Sequence, residues 1–371
     1  MAVIPNLSPT CARRRPAGAA AIIPSLRDIL AASTAFVDGY LDALSTIPPH
    51  EGGHAPCLGY GRGGIAHTLL KAGLLRGDPA LVRSGRRWAA GALQRGRRFR
   101  MRGWPKASFS RGFMGLHAIH ALAAHAEGDL AACRRELRRL VESARRARGS
   151  IELFQGMAGR LAGAAIVLRR IPDPGVRALG DELAARIMKE LAARTAGLAP
   201  LGLAHGWAGV VLGALTWQSI SRSLPDDALA RAVIASHPYD VSGFAEWARR
   251  NWAHGHAGMA LLFARAYLQL GDPRFLAWAR EAATEACARP TRDLSLVSGA
   301  TGIAYAMLAV AAADPGGPWR EAAWTIAGQV LAAVDVPAAN PHGVWSGLGG
   351  VCCLALDLIH GTEAGFPGIE A

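Results

Sequence analysis

The sequence predicts an all-α protein, an α/α toroid (barrel) of about seven inner and seven outer helices, and three observations lead to this fold class. A G-x-x-G pattern recurs seven times at near-constant spacing. Each copy opens an apolar stretch, and segments of mixed polarity separate these stretches. No alternation of period two, which would indicate β-strands, persists anywhere in the chain.

The G-x-x-G patterns form an internal repeat, and this repeat indicates the architecture more clearly than any single predicted helix. Their first glycines are 51, 44, 50, 49, 44 and 48 residues apart. One copy means little, but seven at this spacing are hard to produce by chance. In chain order the copies are Gly61–Gly64, Gly112–Gly115, Gly156–Gly159, Gly206–Gly209, Gly255–Gly258, Gly299–Gly302 and Gly347–Gly350.

The apolar stretches that open at the glycines predict the inner helices. They are apolar on nearly all sides, which is typical of helices buried all round. Because they repeat with one spacing, they predict a closed barrel of parallel helices. Examples are Ile65–Leu75, Leu116–Ala126, Leu161–Leu168, Val210–Trp217, Met259–Leu270 and Ile303–Ala312.

The segments between them mix apolar residues with arginine and predict amphipathic outer helices. Asp-Pro at 78–79 and at 272–273 suits a helix start, with Asp as N-cap and Pro at the first helical position. A helix at about Leu26–Leu44 is expected to be the outer partner of the first repeat. The other predicted outer helices are Pro79–Gln94, Leu130–Arg146, Val176–Ala193, Arg274–Ala288 and Arg320–Val334.

The repeat also predicts the domain organisation. A length of 371 residues alone favours two domains. Seven helix pairs instead predict one domain over residues 25–371, preceded by a flexible N-terminal arm at residues 1–24. The arm contains prolines and Arg13–Arg15 before only a short apolar patch, so it does not resemble a signal peptide. An apolar content of 51% excludes wholesale disorder.

Cysteine usage and apolar runs bear on where the protein acts. The six cysteines form no C-x-x-C pair, so neither a disulfide framework nor a zinc ribbon is expected, and free thiols fit a reducing cytoplasm. Residues 195–221, 294–313 and 336–356 lack formal charge. Each run has Gly, Pro, Ser or His where a membrane helix would start, which favours a loop followed by a buried helix.

The formal net charge of +13 is almost entirely arginine. Residues 83–102 hold eight arginines and no acid, and residues 134–148 hold seven more with two glutamates. Solvated outer-helix faces are one interpretation. The other is a surface for an anionic partner, such as an acidic leader peptide or a partner enzyme. No nucleic-acid-binding motif accompanies the charge, so no nucleic acid partner is expected.

The G-x-x-G motifs would place the N-termini of all inner helices at one mouth of the barrel. Unpaired N–H groups there are expected to favour an anion such as a thiolate, carboxylate or enolate. The residues just before each first glycine would ring this mouth with polar side chains, as in a binding site. They are Tyr60, Arg111, Gln155, His205, His254, Ser298 and Ser346. Helix capping is the alternative role, above all for the two serines.

These motifs resemble the lanthionine synthetase C-like family over about residues 26–361. Leu201–Gly206 is similar to the family's L-G-x-A-H-G segment, and Arg249–Trp252 precedes Gly255 as the family's R-x-x-W-C-x-G does. The resemblance implies a lanthipeptide cyclase, which joins cysteine thiols of a ribosomally made precursor peptide to dehydroalanine or dehydrobutyrine and forms thioether rings.

The resemblance also implies roles for individual residues. His205 matches the family's histidine, a catalytic acid/base candidate, and Arg249 matches its active-site arginine. Glu152 falls where the family often carries an aspartate and would orient His205 or Arg249, while His254 is an alternative base. A surface charge for Arg249 and a plain salt bridge for Glu152 remain open. Peptide contacts are expected from Tyr60, Arg111, Gln155, Trp252, His256, Ser298 and Ser346.

The chain departs from the family at all three zinc ligands. Their positions are occupied by Ala253, Val297 and Ser298, so no zinc and no other cofactor is expected. His254 and His256 are two residues apart at a helix start and point to different sides, which disfavours a replacement site.

Zinc-free cyclase domains exist in this family and are usually fused to lyase and kinase-like domains. Here the resemblance implies a stand-alone cyclase with separate kinase-like and lyase-like dehydration enzymes. Three alternatives stay open at this point. They are a non-catalytic scaffold that binds the precursor or these enzymes, a zinc-dependent cyclase, and a glycosidase that would need facing carboxylates such as Glu152 and Glu246.

Overall fold

The predicted all-α toroid is confirmed. A computed structural model describes residues 25–45, 55–98, 107–146, 150–193, 202–237, 239–289, 291–334 and 343–362. Within these ranges the chain forms fifteen helices and no strand. The arm expected at residues 1–24, and the end of the arginine-rich run at residues 99–102, lie outside the described residues.

Seven of these helices form the inner wall. All of them begin at the first glycine of a G-x-x-G motif, which is the N-cap residue. Each contacts the next, and the last contacts the first, so that the circle closes. The inner helices are α2 (Arg62–Arg76), α4 (Phe113–Ala126), α6 (Met157–Leu168), α8 (Trp207–Ser221), α11 (His256–Leu270), α13 (Ala300–Ala313) and α15 (Leu348–His360).

Seven helices that are longer or more polar than the inner ones form the outer wall. The single helical turn α10 (Glu246–Arg249) belongs to neither wall and is not predicted by the sequence pattern. Asp129 caps one outer helix by accepting from the Ala132 N–H, and Asp272 caps another ahead of Pro273, as its sequence predicts. The outer helices are α1 (Leu26–Ser45), α3 (Pro79–Arg98), α5 (Leu130–Arg145), α7 (Pro174–Ala193), α9 (Asp226–Ile234), α12 (Pro273–Cys287) and α14 (Trp319–Ala333).

The first helix is placed differently from the sequence interpretation. Helices α3, α5, α7, α9, α12 and α14 each contact the inner helix that precedes them in the chain. Helix α2 therefore already has α3 as its outer partner. Helix α1 packs instead against α15 and α14, burying Ile29, Val37 and Leu44. It is the outer helix of the last pair and seals the seam of the toroid.

A buried ion pair spans the same seam from inside. The Nζ atom of Lys71 on α2 lies 2.7 Å from Oδ1 of Asp357 on α15, and both side chains are at most 2% exposed. The hydroxyl of Tyr305 on α13 donates to Oδ2 of the same carboxylate at 2.7 Å. A buried charge is tolerated only when it is paired and hydrogen-bonded. The three inner helices are thus fixed to one another by one carboxylate.

The loops before the inner helices are joined to one another by hydrogen bonds at equivalent positions, two residues before each N-cap glycine. We call these residues the loop ring: Gly59, Ser110, Phe154, Ala204, Ala253, Val297 and Trp345. The bonds run from N–H to carbonyl as Gly59 to Ser110 (2.8 Å), Phe154 to Ala204 (3.1 Å), Ala204 to Ala253 (2.9 Å), Ala253 to Val297 (3.1 Å), Val297 to Trp345 (3.0 Å) and Trp345 to Gly59 (2.9 Å). The hydroxyl of Ser110 donates to the Phe154 carbonyl at 2.5 Å and completes the circle.

In six of the seven motifs the second glycine is required by close approach of the preceding loop, and at Gly64 the close neighbour is instead Gly343 of the last loop. A Cβ atom on Gly209 would lie 1.9 Å from the Leu203 carbonyl oxygen, and one on Gly159 would lie 2.0 Å from that of Leu153. The loop therefore folds over the first turn of its own helix at a distance that no side chain permits. This contact between loop and helix explains why the G-x-x-G pattern recurs in the sequence.

No helix in the described ranges combines the length and the apolar character that a bilayer span needs.

Replacing Gly209 by alanine should lower the free energy of unfolding by about 1–3 kcal/mol or more, because the loop backbone must move away from the new methyl group. Gly39 on α1 is the matched control, since nothing lies within 4 Å of a Cβ atom there. Gly39→Ala should raise stability by about 0.5–1 kcal/mol through helix propensity. Denaturant unfolding of both variants measures this, and equal effects would contradict the close-approach explanation.

Candidate functional site

The seven residues just before the N-cap glycines lie at one mouth of the toroid, as predicted. The loop ring beneath them is buried at every position, whereas these residues are all at least partly exposed. The backbone thus alternates between an inward, hydrogen-bonded residue and an outward one. We call the outward set the mouth ring: Tyr60, Arg111, Gln155, His205, His254, Ser298 and Ser346.

The floor of the mouth is aromatic. Phe154 and Trp345 belong to repeats far apart in the circle, yet their rings stack at 3.9 Å between centroids. Trp252 lies 6.2 Å from Phe154 and is fully buried, so it supports the floor from below rather than contacting a peptide. Tyr60 meets Trp345 edge-on at 5.7 Å, and His205 meets Phe154 edge-on at 5.2 Å.

Glu152 orients His205. Its Oε2 atom lies 3.0 Å from Nδ1 of His205, and the carboxylate is 6% exposed while the imidazole is 49% exposed. The same carboxylate accepts from the Phe154 N–H at 2.8 Å, the Gln155 N–H at 2.6 Å and the Ser150 hydroxyl at 3.1 Å. Three hydrogen bonds fix the carboxylate, and the fourth, to Nδ1, fixes the imidazole ring so that Nε2 is left for a substrate. Glu152 was expected to orient either His205 or Arg249, and in the structure it is His205 that it contacts.

His254 lies beside this pair. Its ring centroid is 6.1 Å from that of His205 and 5.4 Å from Phe244. Its backbone N–H donates to Oδ1 of the buried Asn251 at 2.8 Å. Burial, followed by the nearby His205, lowers the pKa of His254 below its ordinary value. The imidazole is therefore neutral at pH 7, the form that can accept a proton.

Arg249 is held by main-chain carbonyls. Its Nε donates to the Phe244 oxygen at 2.8 Å and its Nη2 to the Ser242 oxygen at 2.7 Å. These bonds fix the turn that brings Phe244 against His254. The half-buried guanidinium therefore has a structural contact with this turn, and its expected role in the site stays a prediction. Its neighbour Arg250 donates to the Arg289 carbonyl, away from the mouth.

Two further candidates are Arg111, in another part of the mouth ring, and His256, the first residue of α11. Arg111 lies over the ring of Tyr60, with its guanidinium carbon 5.6 Å from the centroid. His256 turns the other way, because its Nδ1 lies 2.9 Å from the Tyr239 hydroxyl. The opposite orientations of His254 and His256 agree with their spacing of two residues.

Ser298 and Ser346 do not cap the inner helices. The N-cap residues are Gly299 and Gly347, and neither helix has a side-chain cap hydrogen bond. The capping alternative for the two serines is therefore wrong. Both are outward-facing members of the mouth ring, with Ser298 half-buried and Ser346 exposed.

At four of the inner helices, α2, α6, α11 and α13, the first N–H groups that were expected to attract an anion are engaged by the overlying loops. The Met157 and Ala158 N–H groups donate to the Ser150 and Ile151 carbonyls at 2.9 and 3.0 Å. The Arg62 and Ala300 N–H groups are paired in the same way with loop carbonyls. Because the overlying loops satisfy these donors, an anion at the mouth depends on side chains.

Facing carboxylates for a glycosidase are not assembled from Glu152 and Glu246. Glu152 is bonded to His205 below the mouth. Glu246 is 66% exposed on the outside of the toroid, where it pairs with Arg289 at 2.6 Å. The glycosidase alternative therefore lacks the facing carboxylates of Glu152 and Glu246 that it would need.

The sequence analysis missed four residues that build this site. Phe154 and Trp345 form the floor, Asn251 holds the His254 backbone, and Phe244 packs on the His254 ring. The recurring loop-ring position, two residues before each N-cap glycine, could have drawn attention to the two aromatic residues. No sequence pattern places Phe244, which follows the short helix α9 in an irregular segment.

Comparison with known proteins gives the class of protein. The sequence profile described as lanthionine synthetase C-like protein matches residues 56–371. The chain therefore belongs to the lanthionine synthetase C-like family. No match was found among curated protein sequences.

Among solved structures, the chain is similar to one titled nisin cyclase, with a TM-score of 0.64 and 14% sequence identity. The superposition covers 92% of this chain and 96% of that structure. At this identity the likeness establishes the shared toroid.

The residues at the family's zinc position do not fit a zinc ion. Ala253 and Val297 carry no side-chain donor, and their N–H groups and the Ala253 carbonyl are engaged in the loop ring. Ser298 offers only a hydroxyl. Across the part of the chain that the structure describes, no group of three or more His, Cys, Asp or Glu side chains is arranged to hold a metal ion.

Replacing His205 by asparagine should raise the pKa of His254, because one of the two causes of its depression is removed while burial remains. The value should still stay below the ordinary 6.5. An NMR titration of the His254 imidazole in both proteins measures the shift, with His125→Asn at the far end of α4 as control. An unchanged His254 midpoint would contradict the contact.

The lowered pKa of His254 also makes the stability of the fold depend on pH. Since the folded-state pKa of His254 lies below its unfolded value, protonation favours the unfolded chain. This contribution to stability is complete above about pH 6.5 and is lost as the pH falls towards the folded pKa.

Proposed function

We propose that this chain is a zinc-independent lanthipeptide cyclase that adds cysteine thiols of a dehydrated precursor peptide to dehydroalanine or dehydrobutyrine. The observation that carries the proposal is the Glu152–His205 pair, 3.0 Å apart at the mouth of the toroid. Family membership supports the same chemistry. Such a reaction belongs to the biosynthesis of ribosomal peptide natural products, antibiotics among them.

The first step is deprotonation of the thiol. A free cysteine has a pKa near 8.5, so only a few per cent is thiolate at pH 7. His205 accepts the thiol proton at Nε2 while its Nδ1 proton is held by Glu152. The carboxylate then stabilises the imidazolium that forms, as in other base–carboxylate pairs.

The second step forms the ring. The thiolate sulfur bonds to Cβ of the dehydro residue, and the Cα=Cβ electron pair moves to the carbonyl oxygen as an enolate. A histidinium then returns the proton to Cα and restores the carbonyl. The histidine that took the thiol proton, His205 or in its place the neighbouring His254, supplies this proton, so that the net change is transfer of one proton from sulfur to carbon.

The rest of the mouth binds and positions the peptide. Arg249 fixes the Ser242–Phe244 turn and leaves its Nη1 group for a substrate. The stacked Phe154 and Trp345, only 4% and 2% exposed, close the mouth from below, which limits the water that reaches the reacting atoms from that side. Gln155, Ser298 and Ser346 offer hydrogen bonds to the peptide backbone.

Partners are proposed from charge. Helices α3 and α5 are adjacent outer helices on α4, and they expose Arg83, Arg87, Arg134 and Arg138. This basic surface fits an acidic leader peptide or a separate kinase-like or lyase-like dehydration enzyme. The described cysteines are all free thiols, which fits action in a reducing cytoplasm.

The deciding experiment follows ring closure of a dehydrated precursor peptide by alkylation of its remaining thiols and mass spectrometry. The purified chain should close rings faster than the spontaneous reaction. His205→Ala should reduce the rate by about 10²- to 10⁴-fold, the typical contribution of a general base. Glu152→Gln should reduce it as well, since the ring loses its charged partner.

His125→Ala is the matched control, because His125 is an exposed histidine near the C-terminus of α4, away from the mouth. It should leave the rate unchanged. A chain that binds the peptide but never exceeds the spontaneous rate would instead support the non-catalytic scaffold.

The zinc-independent chemistry has a separate test. Ring closure should be unaffected by prolonged treatment with a zinc chelator, because Ala253 and Val297 offer no ligand for the metal. The rate before and after chelation is compared, with elemental analysis of the purified protein. A rate that is abolished by the chelator and restored by added zinc would establish the zinc-dependent alternative.

A further inference from the structure

Two polar residues face the Glu152–His205 pair across the aromatic floor. Tyr60 contacts Trp345 at 5.7 Å, and His205 contacts Phe154 at 5.2 Å. Phe154 and Trp345 stack at 3.9 Å and are only 4% and 2% exposed, so they form a buried floor between the two contacts. His205 lies against the Phe154 side of this floor and Tyr60 against the Trp345 side, and a peptide lying over it would meet the histidines on one side and Tyr60 with Arg111 on the other.

Arg111 keeps its hydrogen-bond donors for a ligand. Its guanidinium lies over the Tyr60 ring and is paired with no carboxylate among the described residues. The other arginines near the mouth are engaged, since Arg249 donates to the Ser242 and Phe244 carbonyls and Arg250 to that of Arg289. Beside Tyr60, the first N–H groups of α2 are also engaged, since Arg62 and Gly63 donate to the Ala55 and Pro56 carbonyls. Arg249 and Arg250 keep their charge, but Arg111 is the arginine of the mouth ring, and its guanidinium makes no hydrogen bond to the described residues.

We propose that Arg111 binds the carbonyl oxygen of the dehydro residue and stabilises the enolate that forms there when the thiolate adds. The proposal rests on the cyclase function proposed above and names the group that receives the developing negative charge. When sulfur bonds to Cβ, the π electrons of Cα=Cβ move to this oxygen, and Arg111 donates N–H hydrogen bonds to it. No proton leaves the guanidinium, because the proton for Cα comes from histidine.

Tyr60 acts as the positioning residue for this subsite. Its ring carries the guanidinium through a cation–π contact at 5.6 Å, a distance at which such contacts are favourable. Burial raises the pKa of Tyr60 to about 12, although Arg111 opposes the shift. The ring therefore stays neutral throughout the working range of pH and does not neutralise Arg111 as a carboxylate would.

The test compares Arg111 with an arginine that makes the same kind of contact elsewhere. Arg177 lies over the Trp217 ring at 5.4 Å on the outer wall, between α7 and α8. Ring closure of the dehydrated peptide is measured for Arg111→Gln, Arg111→Ala and Arg177→Gln, with thermal unfolding of each variant. Methylguanidine is added to Arg111→Ala as the probe for rescue.

Arg111→Gln should lower kcat by about 10²- to 10³-fold, the usual loss when a donor to an oxyanion is removed. KM should change little, because the interaction strengthens only as the enolate forms. Methylguanidine should restore part of the rate of Arg111→Ala, which a merely structural role would not allow. Arg177→Gln should keep the wild-type rate.

These experiments distinguish failure of the Arg111 assignment from failure of the proposed cyclase function. If the wild type accelerates ring closure and His205→Ala abolishes it, but Arg111→Gln keeps its kcat within about threefold, the Arg111 assignment is overturned and the cyclase stands. A loss of activity in Arg111→Ala that methylguanidine does not restore, with a lowered melting temperature, also overturns it. A wild type no faster than the spontaneous reaction overturns both.

Discussion

The geometry of the molecule depends on the loop ring, the circle of hydrogen bonds two residues before each N-cap glycine. Six of the seven links are N–H to carbonyl bonds with N···O distances of 2.8–3.1 Å, and the Ser110 hydroxyl supplies the seventh. Because these main-chain groups are buried, leaving one unpaired would cost about 1–3 kcal/mol. The inner helices are therefore held at one height, and the residues that follow the loop ring are presented together at the mouth.

The same loops determine what kind of chemistry the mouth can support. They lie so close to the helix starts that glycine is required, and their carbonyls take up the first N–H groups of the helices. At α2, α6, α11 and α13 the first N–H groups are therefore not available to a ligand. What remains is a set of side chains, with a buried carboxylate behind one histidine, a neutral histidine beside it and an arginine across an aromatic floor. The division of the mouth into a basic histidine side and a cationic side follows from side chains alone.

The sequence was sufficient for the repeat, the inner helices and the mouth ring because all three are local. A G-x-x-G motif records a loop contacting its own helix within six residues. The pairing of Glu152 with His205 was one of two stated alternatives, and only the fold could choose. The partner of α1, the main-chain partners of Arg249 and the Phe154–Trp345 stack depend on residues distant in sequence. No local pattern encodes such contacts, so they were misplaced or missed.

The Lys71–Asp357 pair has a consequence for how the toroid forms. Its two residues are 286 positions apart, whereas most helix pairs join neighbours in the chain. An open array of repeats can grow or fray from either end. Here the last inner helix must find the first, at the entropic cost of closing a very long loop. Assembly is thus local until one final long-range event, and the seam is the place where the completed circle has the fewest sequence-local contacts to reform it.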